Sequence, residues 1–445
     1  MDPKIPSRLP AVAQDRMVYH NAPVIDPQFQ FVLEFEGRLD EARVKRAVRL
    51  AMDAEPVFGC QYVERRPPYW KRRDDLDRLP LCEVVEASDP QPAMAEFITR
   101  RCNASLDPLI QTRIVRGRND TLCLKISHVA ADGAGGGDLL YLIATLYRSL
   151  QDPSYRVTPN LGSRSRMQWF RHAGLRRSVK AFRSRLAKPA ENQWRFPSTN
   201  RDHRGGVKSA LRQLDAARFD SLRAYAKRAG STLNDVLTAA YFRSLCQFLE
   251  AGIDLPQTII LPMNVRRYLP SGKTQAICNF TAPLYLPLAR IPGEPFDATL
   301  RRVTAGTRDA EARKEHALAA AMAISLGYRL AAPRMKLMVE AARCKSIEDG
   351  RTIAFLSNFG SIDPARLDFG LPLTDASLIS PPATAPALFL VVHSFRGALR
   401  FMVTYYSSTM KSDDVEGLLD SFLRELPANE VRANAHAGPD GGARV

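Results

Sequence analysis

Leu122-Cys-Leu-Lys-Ile-Ser-His128-Val-Ala-Ala-Asp132-Gly133-Ala-Gly-Gly-Gly137 is the stretch from which the rest of the chain can be read. Leu122, Leu124 and Ile126 alternate with Cys123, Lys125 and Ser127, the period of a half-buried strand, so His128 stands at a strand end. Leu139, Leu140, Leu142, Ile143, Leu146 and Tyr147 follow at helical spacing, which makes the segment strand, tight loop and helix. An imidazole held in this way can take a proton from a hydroxyl or amine that attacks a carbonyl, then protonate the leaving group. Asp132 can orient the turn or hold an ion pair, and the glycines let backbone come close to a substrate. The same residues also suit a structural histidine beside a glycine turn, because a His and an Asp four apart recur by chance.

A chain of 445 residues, 45% hydrophobic and 25% charged, can bury large cores, and its length favours two or three domains. The N-terminal stretch Met1 to Pro10 mixes charges and prolines, and the longest nearly apolar run, Ala317 to Leu326, is too short to span a bilayer. A soluble, cytoplasmic protein is expected. Seven cysteines form no CxxC pair and show no zinc spacing with histidine, so reduced thiols and no metal are expected. The net charge of +16 suits nucleic acid, anionic lipid, acidic proteins or phosphate-bearing cofactors. No zinc finger, RNA-binding signature or basic-aromatic platform is present, and nucleic acid is not expected as a partner.

Gln28 to Glu36 reads as a strand, and Asp40 can cap a helix whose Val44, Ala47, Val48 and Ala51 form one stripe before Pro56. Tyr69 to Leu79 reads as a surface loop or hairpin, and Pro92 to Cys102 as a helix. Between Arg164 and Lys188 there are nine basic residues and no acid. Leu175, Val179, Phe182 and Leu186 give that segment an amphipathic helix, either packed on the body or forming a docking surface. Helices are expected from Ala216 and from Ser231 or Thr232, strands at Thr258–Met263 and Thr281–Leu288, and mainly helix over 295–345. A hairpin turns at Arg396-Gly397, and Asp413 caps a last helix.

In order, Ser105-Leu-Asp-Pro-Leu-Ile-Gln-Thr-Arg-Ile114, His128-Val-Ala-Ala-Asp-Gly133, Ser231-Thr-Leu-Asn-Asp-Val236, Pro262-Met-Asn-Val-Arg266, Cys278-Asn279-Phe280 and Ser357-Asn-Phe-Gly360 resemble motifs of one family. It is the condensation-domain and polyketide-associated acyltransferase branch of the chloramphenicol acetyltransferase-like superfamily. The resemblance runs from about residue 10 to about 425. It implies an α/β fold with mixed sheets: two chloramphenicol acetyltransferase-like subdomains in a pseudo-dimeric arrangement, with the active-site tunnel between them. The expected division is an N-terminal subdomain 1–160, a basic crossover 161–205, a C-terminal subdomain 206–427 and a disordered tail 428–445.

The resemblance implies an acyltransferase that moves an acyl group from an acyl-coenzyme A, or from the phosphopantetheine of an acyl carrier protein, to a hydroxyl or amine of a small-molecule or lipid acceptor. No cofactor is permanently bound. His128 would be the general base, Asp132 a structural ion-pair member and Gly133 the turn residue. Ser357 and Asn358 would position the substrate or hold the oxyanion, although Asn358 also suits a role in its own strand. The family's arginine after the first long helix is absent from Pro56-Val-Phe-Gly59, which leaves Arg16 and Arg266 as partners for Asp132. Residues 164–188 could dock an acyl carrier protein or an anionic membrane, and a monomer suffices for the site. Ser127 stands where some branches carry a first histidine, and Asp368-Phe-Gly370 runs into Leu371-Pro372 and reads as structural. The alternative is a non-catalytic member of the same fold that binds an acyl chain or a carrier protein.

Overall fold

The computed structural model describes residues 4–152, 154–173, 194–196, 205–249, 256–312, 315–352, 354–383 and 387–428. Two sheets carry the architecture. In the first, five strands lie in the order Leu373–Ile379, Gln28–Phe35, Asp120–Ser127, Ile110–Arg116, Cys82–Glu86. In the second, six lie in the order Thr281–Leu288, Gln257–Asn264, Ala354–Ser361, Leu388–Phe395, Ala398–Tyr406, Val207–Leu214. Both are mixed: Cys82–Glu86 runs parallel to its neighbour, and Ala354–Ser361 runs parallel to both of its own. Each half builds its own core, one around Phe31, Val48 and Leu124, the other around Leu237, Leu390 and Phe422. This is the pseudo-dimeric mixed α/β arrangement that the motifs implied.

The chain crosses between the halves more than the expected boundaries suggest. Leu373–Ile379 belongs to 206–427 by sequence, yet it pairs antiparallel with Gln28–Phe35, from Leu373 opposite Phe35 to Ile379 opposite Gln30. Trp169, Phe170, Trp194 and Phe196 of the crossover pack into the second core. Its amphipathic stripe, Leu175 to Leu186, lies outside the described residues, as do residues 429–445 of the tail.

Local elements follow their sequence signals. Asp40 caps Glu41–Ala54 by accepting from the Arg43 amide at 3.0 Å, and the predicted stripe Val44, Ala47, Val48 and Ala51 is buried. Thr232 caps Leu233–Phe248, and Arg396 and Gly397, at φ 46° and 81°, form the tight turn between Leu388–Phe395 and Ala398–Tyr406.

Three expectations need correction, and one alternative is settled. The strand Asp120–Ser127 is buried at every residue, because the helix Pro90–Thr99 covers its second face. There Lys125 donates to the Phe97 and Arg100 carbonyls and stands 4.2 Å from the Phe97 ring centre. That helix ends at Thr99 rather than Cys102. Of the two readings of Tyr69–Leu79 the hairpin holds and the surface loop does not: Tyr69–Arg72 pairs antiparallel with Cys60–Val63, and its Trp70 is fully buried. Lys411 takes the N-cap of Ser412–Glu425, and Asp413 sits in its first turn. No helix among the described residues is long and apolar enough to cross a membrane.

Candidate active site

His128 follows the last residue of the buried central strand, and its amide donates to the Pro27 carbonyl at 2.8 Å. The ring meets Phe29 edge-on, with centres 5.4 Å apart. Nδ1 is turned into the protein toward the residue's own backbone, without a hydrogen bond of good geometry. Burial pushes the imidazole below its ordinary value; its own backbone, Asp132 and Asn279 pull upward without reversing this. At neutral pH the ring is therefore neutral, the state a general base requires.

Asp132 ends the loop as the N-cap of Gly133–Ser149, accepting from the Gly135 amide at 2.9 Å. Its carboxylate also accepts from Arg266 Nη1 and Nη2, both at 3.0 Å, from the Phe280 amide at 2.6 Å and from Thr281 Oγ1 at 2.7 Å. Burial pushes this carboxyl up, but Arg266 and the other donors outweigh it and hold it at about 2. Of the two arginines left open by the sequence, Arg266 is the one that meets Asp132. Arg16 donates to the carbonyls of Ala11 and Tyr328 instead.

The second half grips the loop through Asn279 as well, whose Nδ2 donates to the His128 and Val129 carbonyls, each at 3.0 Å. A third grip comes from the crossover. Arg164 pairs with buried Asp15 at 2.7 and 3.0 Å, and donates to the Ala130 carbonyl at 2.7 Å and the Ile277 carbonyl at 3.1 Å. Asp15 also accepts from Trp70 Nε1 at 2.8 Å and the Val12 amide at 3.2 Å. The sequence left residues 164–188 open between a helix packed on the body and a docking surface; Arg164 at its head is internal, and so is Arg166, which donates to the Thr281 carbonyl. An arginine inside a run of basic residues looks solvated, and its partner lies 149 residues away.

Gly133 does not take a left-handed conformation; it opens the helix, and a side chain there would meet the Phe359 ring at 3.4 Å. Gly136 is the tighter position, since a Cβ would fall 2.4 Å from the Phe29 ring. Phe359 comes from the strand that carries Ser357 and Asn358, so that strand end packs against the start of the helix. Asn358 is exposed, and its Oδ1 accepts from the Gly360 amide at 2.9 Å across a bulge, Gly360 having φ 91°. Its carbonyl thus serves its own strand. Where the family's arginine is missing, Gly59 leaves room for the Arg72 guanidinium arriving from the neighbouring strand.

The remaining titratable groups read as structural. His393 is buried, pushed down to about 4 by burial, and accepts from the Leu378 amide at 3.4 Å. Burial pushes the Cys278 thiol up to about 11, which is no state for a nucleophile. Among the described residues, no group of three or more His, Cys, Asp or Glu could hold a metal ion.

No protein-family model matches the chain. Two uncharacterized Mycobacterium tuberculosis proteins, one from strain CDC 1551 / Oshkosh and one from H37Rv, are each 27% identical over 299 residues, spanning 62% of this chain and 66% of their own length. Polyketide synthase associated protein 5 from Mycobacterium tuberculosis superposes with a TM-score of 0.65 at 15% identity, covering 94% of this chain and 98% of its own. The first condensation domain of the CDA synthetase gives 0.67 at 17% identity, covering 95% and 97%. The epimerization domain from the third module of tyrocidine synthetase B gives 0.67 at 14%, covering 96% of both chains. The chain therefore has the fold shared by these condensation and epimerization domains and the polyketide synthase associated protein.

Proposed function

We propose that the protein is an acyltransferase that moves an acyl group from an acyl-coenzyme A or acyl carrier protein thioester to a hydroxyl or amine acceptor. The observation that carries this reading is the placing of His128 at the end of a buried strand, on a loop held by Asp132, Asn279 and Arg164. A histidine with only a packing role does not require three separate segments to hold the backbone around it.

In this reading the acceptor O–H or N–H gives its proton to His128 Nε2 as its oxygen or nitrogen bonds to the thioester carbonyl carbon. The carbonyl oxygen becomes an oxyanion, for which the Ser357 hydroxyl and the Asn358 side-chain amide are the proposed donors. When the oxyanion collapses, the C–S bond breaks and the thiolate recovers the proton from the imidazolium. Asp132 and Arg266 act at a distance by fixing the loop, and no bound cofactor or acyl-enzyme is needed. Two basic residues of the segment considered for a carrier protein or membrane are buried, so the docking role, if it lies there, falls to residues beyond Arg166.

The test is thiol release from a panel of acyl-coenzyme A and acyl-carrier-protein donors with pooled alcohols and amines, wild type beside His128→Ala. Acceptor-dependent release that disappears in the variant supports the transferase. Release that survives in the variant removes His128 as the base, and no release with either donor class favours the non-catalytic, acyl-binding reading.

A further inference from the structure

The helices Glu315–Leu330 and Ala332–Asp349 meet at Ala331 and form an elbow. The first helix is tied to the body: Tyr328 is buried, Gln14 donates to Ser325 Oγ at 2.8 Å, and Arg16 donates to the Tyr328 carbonyl at 3.0 Å. The second, 18 residues and about 27 Å long, buries none of them. One side-chain tie to the first half is Lys336 Nζ, 3.1 Å from the Glu64 carboxylate. Most helices in proteins owe their stability to packing an amphipathic face, and a lone helix of this length is marginal in water. In this one Met335, Val339 and Ile347 are half-buried, Met335 beside Gly327, and its other large apolar residues turn outward. Leu337 is 71% exposed and Met338 58%, with Leu330 at the corner 73% exposed, and Ala341 and Ala342 are exposed beside them.

The charge around this elbow is basic in excess. From Arg329 to Asp349 the chain carries Arg329, Arg334, Lys336, Arg343 and Lys345 against Glu340, Glu348 and Asp349, the last two at the C-terminal end of the helix, where Asp349 accepts from the Arg351 amide at 2.7 Å. Arg343 already stands 2.8 Å from Glu340. Arg334, Met338, Ala341 and Lys345 recur at four-, three- and four-residue steps, so basic side chains flank the apolar ones on the same face. A second copy of this elbow would bring like charges together. An anionic surface would not.

We propose that the elbow docks the protein on an anionic lipid bilayer. Leu330, Leu337 and Met338 enter the boundary between headgroups and acyl chains, while Arg329, Arg334 and Lys345 lie against lipid phosphates. Three apolar side chains standing out from a corner, rather than lining a groove, suit a soft headgroup layer, and basic residues beside them supply the attraction to anionic lipid. The helix lies on the membrane and does not cross it. This proposal is independent of acyl transfer, since vesicle binding is read without turnover.

The experiment is co-sedimentation of the full-length protein with vesicles of phosphatidylcholine alone, or of phosphatidylcholine with phosphatidylglycerol, at low and high salt. Wild type should bind the anionic vesicles, more weakly at high salt, and leave the neutral ones. The variant Leu330→Gln/Leu337→Gln/Met338→Gln should lose about tenfold or more in partitioning. Arg329→Gln/Arg334→Gln/Lys345→Gln should abolish the preference for anionic vesicles. All six side chains are exposed, so thermal unfolding of both variants should match wild type. Absent binding by wild type, or equal binding by the apolar variant, overturns the proposal. So does retention on an immobilised acyl carrier protein that the elbow variants lose while vesicles are ignored, which would assign the elbow to an acidic protein. A wild-type dimer that the apolar variant dissociates would overturn it in favour of a second copy.

Discussion

Two buried carboxylate–guanidinium pairs brace the same short loop, and they differ in what they ask of the sequence. Asp132 and Arg266 sit in recognisable motifs, and the carboxylate is itself a loop residue, taking donors from the second half and from the helix it caps. Asp15 and Arg164 belong to no motif, and their pair reaches the loop through one bond, from Arg164 to the Ala130 carbonyl. The contrast teaches that one loop can be fixed both by residues that announce themselves and by residues that do not. His128 sits between the two braces.

The largest expected effect separates acting from bracing. His128→Ala should lower turnover about 10²–10⁴-fold while leaving the urea unfolding midpoint near wild type, because the buried Nδ1 has no hydrogen-bond partner to lose. A large fall in stability would make it a structural histidine. Next come Arg266→Met and Arg164→Met, each of which leaves a buried carboxylate without its cation. Each should cost about 3–5 kcal/mol in denaturant unfolding and slow turnover as well. If Arg164→Met destabilises the protein but leaves turnover intact, the second brace holds the fold and not the loop.

Asn279→Ala removes two donors from the His128 and Val129 carbonyls and should cost about 1–3 kcal/mol, with turnover falling more than the Michaelis constant rises. The smallest effects are those of pH. The folded Asp132 carboxyl, at about 2, lies below its unfolded value of 3.8, so its contribution is present above that value and is lost as pH falls toward about 2. It amounts to about 2 kcal/mol, and in Asp132→Asn this part of the acid-unfolding curve should flatten. His128 is pushed down from 6.5, so the rate should stay on its plateau through neutral pH and fall only below 6.5. An acid limb above 6.5 would mean that burial is not what sets this base.

Much of the fold was legible because its signals are local. Caps at Asp40 and Thr232, the apolar stripe from Val44 to Ala51 and the turn at Arg396-Gly397 each depend on residues a few positions apart. The motifs added the order of the halves and put Arg266 among the two candidates for Asp132. Long-range facts were not legible. The alternation from Leu122 to Ser127 predicted a strand wet on one face, and only the helix that lies over Lys125 makes it buried on both. Arg164 and Arg166 sit at the head of nine basic residues, where composition says surface; their partners are Asp15, 149 residues before Arg164, and the Thr281 carbonyl, 115 residues after Arg166. The exposure of Leu330, Leu337 and Met338 was not legible either, since helix over 295–345 does not say which faces its neighbours cover.

The strand Leu373–Ile379 has a consequence for how the molecule comes into being. It forms the edge of a sheet whose other four strands all lie before residue 128. During synthesis the sheet behind His128 must wait, with Gln28–Phe35 unpaired along one side, until some 250 further residues have emerged from the ribosome. The two halves cannot therefore be made one after the other as finished pieces; the earlier half is completed last, by the later one.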